Sequence, residues 1–358
     1  MKHTRTVALA VALAALSSAC ASAPKRPEVV WPPPPETPRI KFVDAYFTEQ
    51  DVDRSGWASF KRGLLGDDRP FRLVQPMGLA LSSDGERLYV ADFGAGTVYL
   101  LDFKARTFKP LSLEGGALSQ PFNVALDAEE NLYVSDSATR SILRFDRSGR
   151  RVWQVSDDLV RPTGLALDQQ RQVLYVADTA RVDSQKHRVF AYDLKGKRLH
   201  QIGKERGSGP GEFHFPSFLG LDQAGNLHVG DTMNFRIQVF GPDGGYLKSL
   251  GEQGDNPGSF QRIKGIAFDG FGVMYVADGG PSVVQMFNSA FQPLMFFGGF
   301  APLLEYFDVP SAIAIDRRTN RIYVGVQSTA RINVYQLINT TAEDTQPKPA
   351  EPAAKPAR

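Results

Sequence analysis

Five aspartates recur at the ends of near-identical pentapeptides: Asp92 in LYVAD, Asp136 in LYVSD, Asp178 in LYVAD, Asp231 in LHVGD and Asp278 in MYVAD. Evenly spaced carboxylates could ring a cation. Residues reused by every repeat more often serve the repeat itself. Each aspartate is therefore expected to accept backbone bonds in its own turn and to pair with a nearby arginine, such as Arg140 after Asp136 or Arg236 after Asp231. Imidazoles are scarce beyond the N-terminal segment: His187, His200, His214 and His228. Hydrolytic zinc needs three protein ligands and an open position, and these four do not converge by spacing. His187 falls in an insertion and is expected to be an exposed loop residue.

The pentapeptides are themselves the organising signal. With IYVGV at Ile322–Val326 they form six strands at intervals of 42 to 53 residues. Periods of that size mark stacked supersecondary units, and four strands in about 40–50 residues make a propeller blade. Blade starts fall at Pro76, Pro121, Pro162, Pro216, Ile263 and Pro310. A proline lacks an N–H, so it suits the first position of a strand. Three residues before each start sits an apolar residue able to plug the gap between blades: Leu73, Leu118, Leu159, Phe213, Phe260 and Phe307. Six residues after it sits a turn-opening side chain: Ser82, Asp127, Asp168, Asp222, Asp269 and Asp316. The last unit lacks a fourth strand. The run Arg39–Phe47 is predicted to supply it, closing the ring and removing an exposed edge. The fold expected is all-β, a six-bladed β-propeller of four-stranded blades.

The stretch Gly207–Gly251, GSGPGEFHFPSFLGLDQAGNLHVGDTMNFRIQVFGPDGGYLKSLG, resembles an NHL repeat, and the resemblance runs over residues 70–338. It implies a six-bladed ring and leaves activity open, because propellers host enzymes, receptors and scaffolds alike. Blade 3 departs from it with extra residues at Val182–His187, and blade 6 carries Val326 where the others have aspartate. Some related six-bladed enzymes hold zinc or calcium in the channel, with ligands from several blades. Here the two residues after each blade start are Met77-Gly78, Phe122-Asn123, Thr163-Gly164, Ser217-Phe218, Lys264-Gly265 and Ser311-Ala312. Asn123 alone resembles a channel ligand, and one amide does not satisfy calcium, which takes six to eight oxygens. No nucleophile elbow, P-loop or dinucleotide fingerprint occurs. No cofactor and no metal site are expected.

The N-terminus reads as a targeting segment. Lys2, His3 and Arg5 precede the apolar run Val7–Leu16, which is too short to span a bilayer. Leu16-Ser17-Ser18-Ala19-Cys20-Ala21 resembles a bacterial lipobox, with Ser17 in the place of the usual aliphatic residue. The resemblance implies a signal peptide over residues 1–19, lipidation of Cys20 and sorting to the outer membrane. Cleavage after Ala21-Ser22-Ala23 is the rival, and would discard the cysteine. Cys20 is the only cysteine, so an intrachain disulfide and a cysteine metal cluster are excluded. Lys+Arg number 41 and Asp+Glu 39; removal of residues 1–19 takes Lys2 and Arg5 and leaves 39 against 39. That balance gives no reason to expect nucleic acid.

Residues 20–38 are expected to form a tether stiffened by Pro32–Pro35, and residues 339–358 a disordered tail. A short amphipathic helix is expected at about 55–66, with Trp57, Phe60, Leu64 and Leu65 on one face. The propeller proper spans 39–338 and is expected to be monomeric. The function expected is non-catalytic: an envelope-anchored ring holding a protein or glycan partner through one face. The alternative is a metal-dependent lyase or lactonase using calcium or zinc. The candidate binding residues are Asn123, Lys264 and Phe218 at the channel mouth, His187 in the blade 3 insertion, and Phe300, Leu304 and Tyr306 in an unusually apolar loop.

Overall fold

The computed structural model describes residues 28–55, 70–115 and 118–347. Cys20, the signal segment and most of the expected helix at 55–66 lie outside them.

Six antiparallel sheets form the ring. Five contain four strands in sequence order, and their first strands pack side by side around the axis. These innermost strands are Pro76–Leu81, Pro121–Leu126, Pro162–Asp168, Pro216–Leu221, Ile263–Phe268 and Pro310–Asp316. Small residues there are a steric requirement. A Cβ on Gly78 would sit 2.5 Å from the Asn123 Cα, and one on Gly164 would sit 2.5 Å from the Ser217 carbonyl.

Blade 6 is closed by the N-terminal run. Ile40–Tyr46 pairs antiparallel with Arg331–Leu337, Ile40 opposite Leu337 and Tyr46 opposite Ile332. A fifth strand, Val30–Trp31, pairs in turn with Ile40 and Lys41. The expected tether thus joins the fold at its C-terminal part. Trp31 is buried, with its ring 5.8 Å from Tyr335 and 5.7 Å from Tyr306. Pro32–Pro35 belongs to the turn between these strands, so it is not a free spacer. The expected tail is likewise ordered as far as Pro347. Arg39 Nη2 donates to Asp344 at 2.9 Å, and Thr345 is buried.

Apolar clusters fill the gaps between blades. The six predicted plugs are all buried, and Phe213, Phe260 and Phe307 have no exposed surface. Because strands alternate in direction, every fourth-to-first and second-to-third connection emerges on one face of the ring, called here the upper face. The turns after the first strands, which carry Asp127, Asp168, Asp222, Asp269 and Asp316, lie on the lower face.

Candidate functional site on the upper face and channel

The five repeated aspartates are spent on the fold. Asp92 accepts from the backbone amides of Val74, Gln75 and Ala95. Asp278 accepts from those of Gln261, Arg262 and Gly280. Each carboxylate thus ties the end of a second strand to the segment entering the first. Asp231 also receives Arg236 Nε at 2.9 Å, as expected. Asp136 is instead satisfied by four backbone amides, and Arg140 sits in the exposed turn beyond it.

The central channel is a cavity of about 300 Å³ lined by the first strands. Its lining includes Asn123 and Lys264 towards the upper mouth and Arg317 at the lower end, and contains no Asp, Glu or His. Arg317 reaches across part of the lower end, donating Nη2 to the Leu221 carbonyl at 2.7 Å and Nε to that of Phe268 at 3.2 Å. Phe218 lines the channel but is buried rather than presented. Its ring lies 5.8 Å from Phe122, and both pack with Met77 into an apolar collar, with Phe93 against it. The Asn123 Oδ1 accepts from the Val124 amide at 2.7 Å, which leaves its N–H groups for the channel.

His187 is buried, not exposed. The insertion turns its ring inward, 4.8 Å from Phe215 and 5.9 Å from His214. Neither ring nitrogen has a partner; the Thr179 backbone comes near without hydrogen-bond geometry. Burial, with smaller effects from His214 and Arg206, lowers its pKa and keeps it neutral. Neither His187 nor His214 lines the channel, and among the described residues no three His, Cys, Asp or Glu gather into a metal-sized group. A channel with two cations and one amide does not fit a calcium or zinc centre.

The Phe300–Phe307 loop divides. Leu304 and Tyr306 are partly buried; their carbonyls accept from Asn333 Nδ2 at 2.9 Å and Arg331 Nη2 at 2.7 Å. Phe300 is 79% exposed and Leu303 57%. The bridge Phe300↔Phe307 repeats Arg206↔Phe213 and Gln253↔Phe260. A phenyl ring therefore stands where the two preceding blades place polar side chains.

Sequence reasoning missed the wider pattern to which Phe300 belongs. Phe71, Val74, Val182, Met233, Phe300 and Leu303 are all exposed, and all sit in upper-face connections. The remaining exposed large hydrophobic side chains lie on outer strands, except Phe271, which is the one on the lower face among the described residues.

No family model matches the chain. It is 28% identical over 194 residues to the diisopropyl-fluorophosphatase of Loligo vulgaris, a match covering 48% of this chain and 60% of that protein. The chain thus spans less than two thirds of that relative. Among solved structures, a gluconolactonase from Xanthomonas campestris superposes with a TM-score of 0.59 at 18% identity, covering 74% of this chain and 86% of that one. Virginiamycin B lyase from Staphylococcus aureus gives 0.56 at 11% identity, covering 84% and 100%. At such identities the likeness is one of fold. The chain is a six-bladed β-propeller.

Proposed function

We propose that this chain is a non-catalytic, NHL-type propeller anchored in the bacterial envelope, holding a protein partner against its upper face. The observation that carries the reading is the one-sided placement of Phe71, Val74, Val182, Met233, Phe300 and Leu303. Exposed apolar groups gathered on one face of a soluble ring mark an interaction surface. Their mostly aliphatic character suits a protein better than a glycan, which stacks on aromatic platforms. The anchor is Cys20, whose acyl chains hold the ring at the outer membrane.

The metal-dependent hydrolase or lyase is kept as a second reading, because the solved neighbours include a gluconolactonase and a lyase. It draws no support from the channel lining, which offers a lysine and an arginine where a cation would need oxygens. The discriminating experiment is turnover by the purified chain, equilibrated with calcium or zinc, on aldonolactones, a phosphorofluoridate and a cyclic streptogramin. The binding reading expects rates at the uncatalysed background. Metal-dependent turnover lost on Asn123→Ala would replace it with the enzyme reading.

A further inference from the structure

Lys264 breaks the symmetry of the ring in a way that no structural need accounts for. The position after each blade start is Met77, Phe122, Thr163, Ser217, Lys264 or Ser311. The hydroxyls at this position are consumed locally. Thr163 Oγ1 bonds Thr179 Oγ1 at 2.6 Å, Ser217 donates to the Phe215 carbonyl, and Ser311 donates to the Pro76 carbonyl of the adjoining blade. Met77 and Phe122 pack in the collar. Lys264 has no hydrogen-bonding or ionic partner among the described residues. Its aliphatic stem lies against Gly279, and the charge that acts on it is that of Arg262, a second cation.

Lys264 is partly buried in the wall of a channel that offers no carboxylate, so its ammonium bears part of a desolvation cost that no partner offsets. Burial, reinforced by Arg262, lowers the Lys264 pKa from its ordinary value, as that imbalance requires. An anion entering the channel would remove the imbalance. Asn123 stands three blades away, on the opposite side of the ring, with its N–H groups uncommitted. Arg317 spans the far end from blade 6 to blades 4 and 5, whereas Lys264 and Asn123 stand towards the upper mouth.

We infer that the upper channel binds a small carboxylate, with the Lys264 ammonium and the Asn123 amide on the anionic group and the Met77–Phe122–Phe218 collar on its apolar body. One cation matches one negative charge, whereas a phosphate dianion calls for an arginine fork or a nest of backbone amides. A cavity of about 300 Å³ holds a ligand the size of a benzoate or a short fatty acid. The inference rests on the upper face being the binding face, and it names the chemistry of what enters there.

The test is calorimetric titration of the full chain in detergent with fluorobenzoate and hexanoate, each against its neutral amide. The carboxylates are expected to bind and the amides not. Lys264→Met should weaken binding about 10- to 100-fold, the range of one charge-assisted contact. Lys248→Met, on an outer strand, should leave it unchanged. Affinity should fall as pH rises, and do so below the ordinary lysine range, since the lowered pKa discharges the ammonium early. Unchanged melting of Lys264→Met shows that the fold survives. Equal binding by carboxylate and amide, equal binding by Lys264→Met, or no binding at millimolar concentration each overturns the inference. Partner capture by the upper face in intact envelopes is read separately, so its persistence without carboxylate binding sinks this inference alone.

Discussion

His228 Nε2 lies 3.3 Å from Asp222 Oδ2, in the place where Tyr133 and Tyr275 donate to Asp127 and Asp269 at 3.0 Å. In blades 2, 4 and 5 the second strand thus braces the turn of its own first strand. Blade 4 does so with an imidazole that has no exposed surface and packs 4.8 Å from Phe268.

That substitution makes blade 4 sensitive to acid. Burial lowers the His228 pKa, only partly opposed by Asp222, so the ring is held neutral. In the unfolded chain a histidine titrates near about 6.5. A lowered folded pKa means that the unfolded state binds the extra proton, so stability is full above that range and is lost as pH falls through it. Asp222 adds a second, lower window. Burial raises its pKa, but bonds from His228 and Asn226 prevail and bring it to about 2. That contribution is lost as pH falls from about 4 towards 2. Melting temperature should therefore drop between pH 7 and 5 in the natural chain. His228→Tyr, which restores the tyrosine of the other blades, should reduce that drop and leave the share due to buried His187; an unchanged drop would contradict the assignment.

Asp278 should behave as a strut and not as a ligand. Asp278→Ala would strand the amides of Gln261, Arg262 and Gly280. The expected loss is about 2–4 kcal/mol by urea denaturation. Calcium at millimolar concentration should leave the stability of either protein unchanged. A calcium-dependent rise seen with the natural chain and missing from Asp278→Ala would revive the cation ring.

Phe300 and Phe307 are two rings of one loop with opposite duties. Phe307 has no exposed surface and lies 5.6 Å from Tyr335, so Phe307→Ala should cost about 3–5 kcal/mol. Phe300→Ser should change stability by about 0.5 kcal/mol or less. Equal losses on chemical denaturation would place Phe300 in the core and withdraw it from the interaction surface.

Ring closure rests on Ile40–Tyr46. A chain lacking residues up to Phe47 would expose the free edge of Arg331–Leu337. Size-exclusion chromatography should then show association, since an unpaired edge recruits another strand. A well-behaved monomer would mean that closure is dispensable.

The ring was legible because its signals are local and repeated: the blade-start proline, the plug three residues before it and the turn aspartate six after it. The same register placed Asn123 and Lys264 in the channel. Val30–Trp31 went unread because two residues beside four prolines carry no strand period, and only the Trp31 contact with Tyr335 shows why they pair. His187 was misjudged because an insertion's depth depends on what it folds against, here Phe215. The apolar face was invisible for a related reason. Val74, Val182 and Met233 are single apolar residues in separate polar connections, and only the ring brings them to one side.

The most direct measurement is site-specific photocrosslinking in intact envelopes, with the probe placed in turn at Met233 and Phe300 on the upper face and at Phe271 on the lower. The account predicts the same defined protein adduct from Met233 and Phe300, abolished by Leu303→Ser combined with Val74→Ser, and none from Phe271. Adducts from Phe271 alone, or equally from both faces, would contradict it.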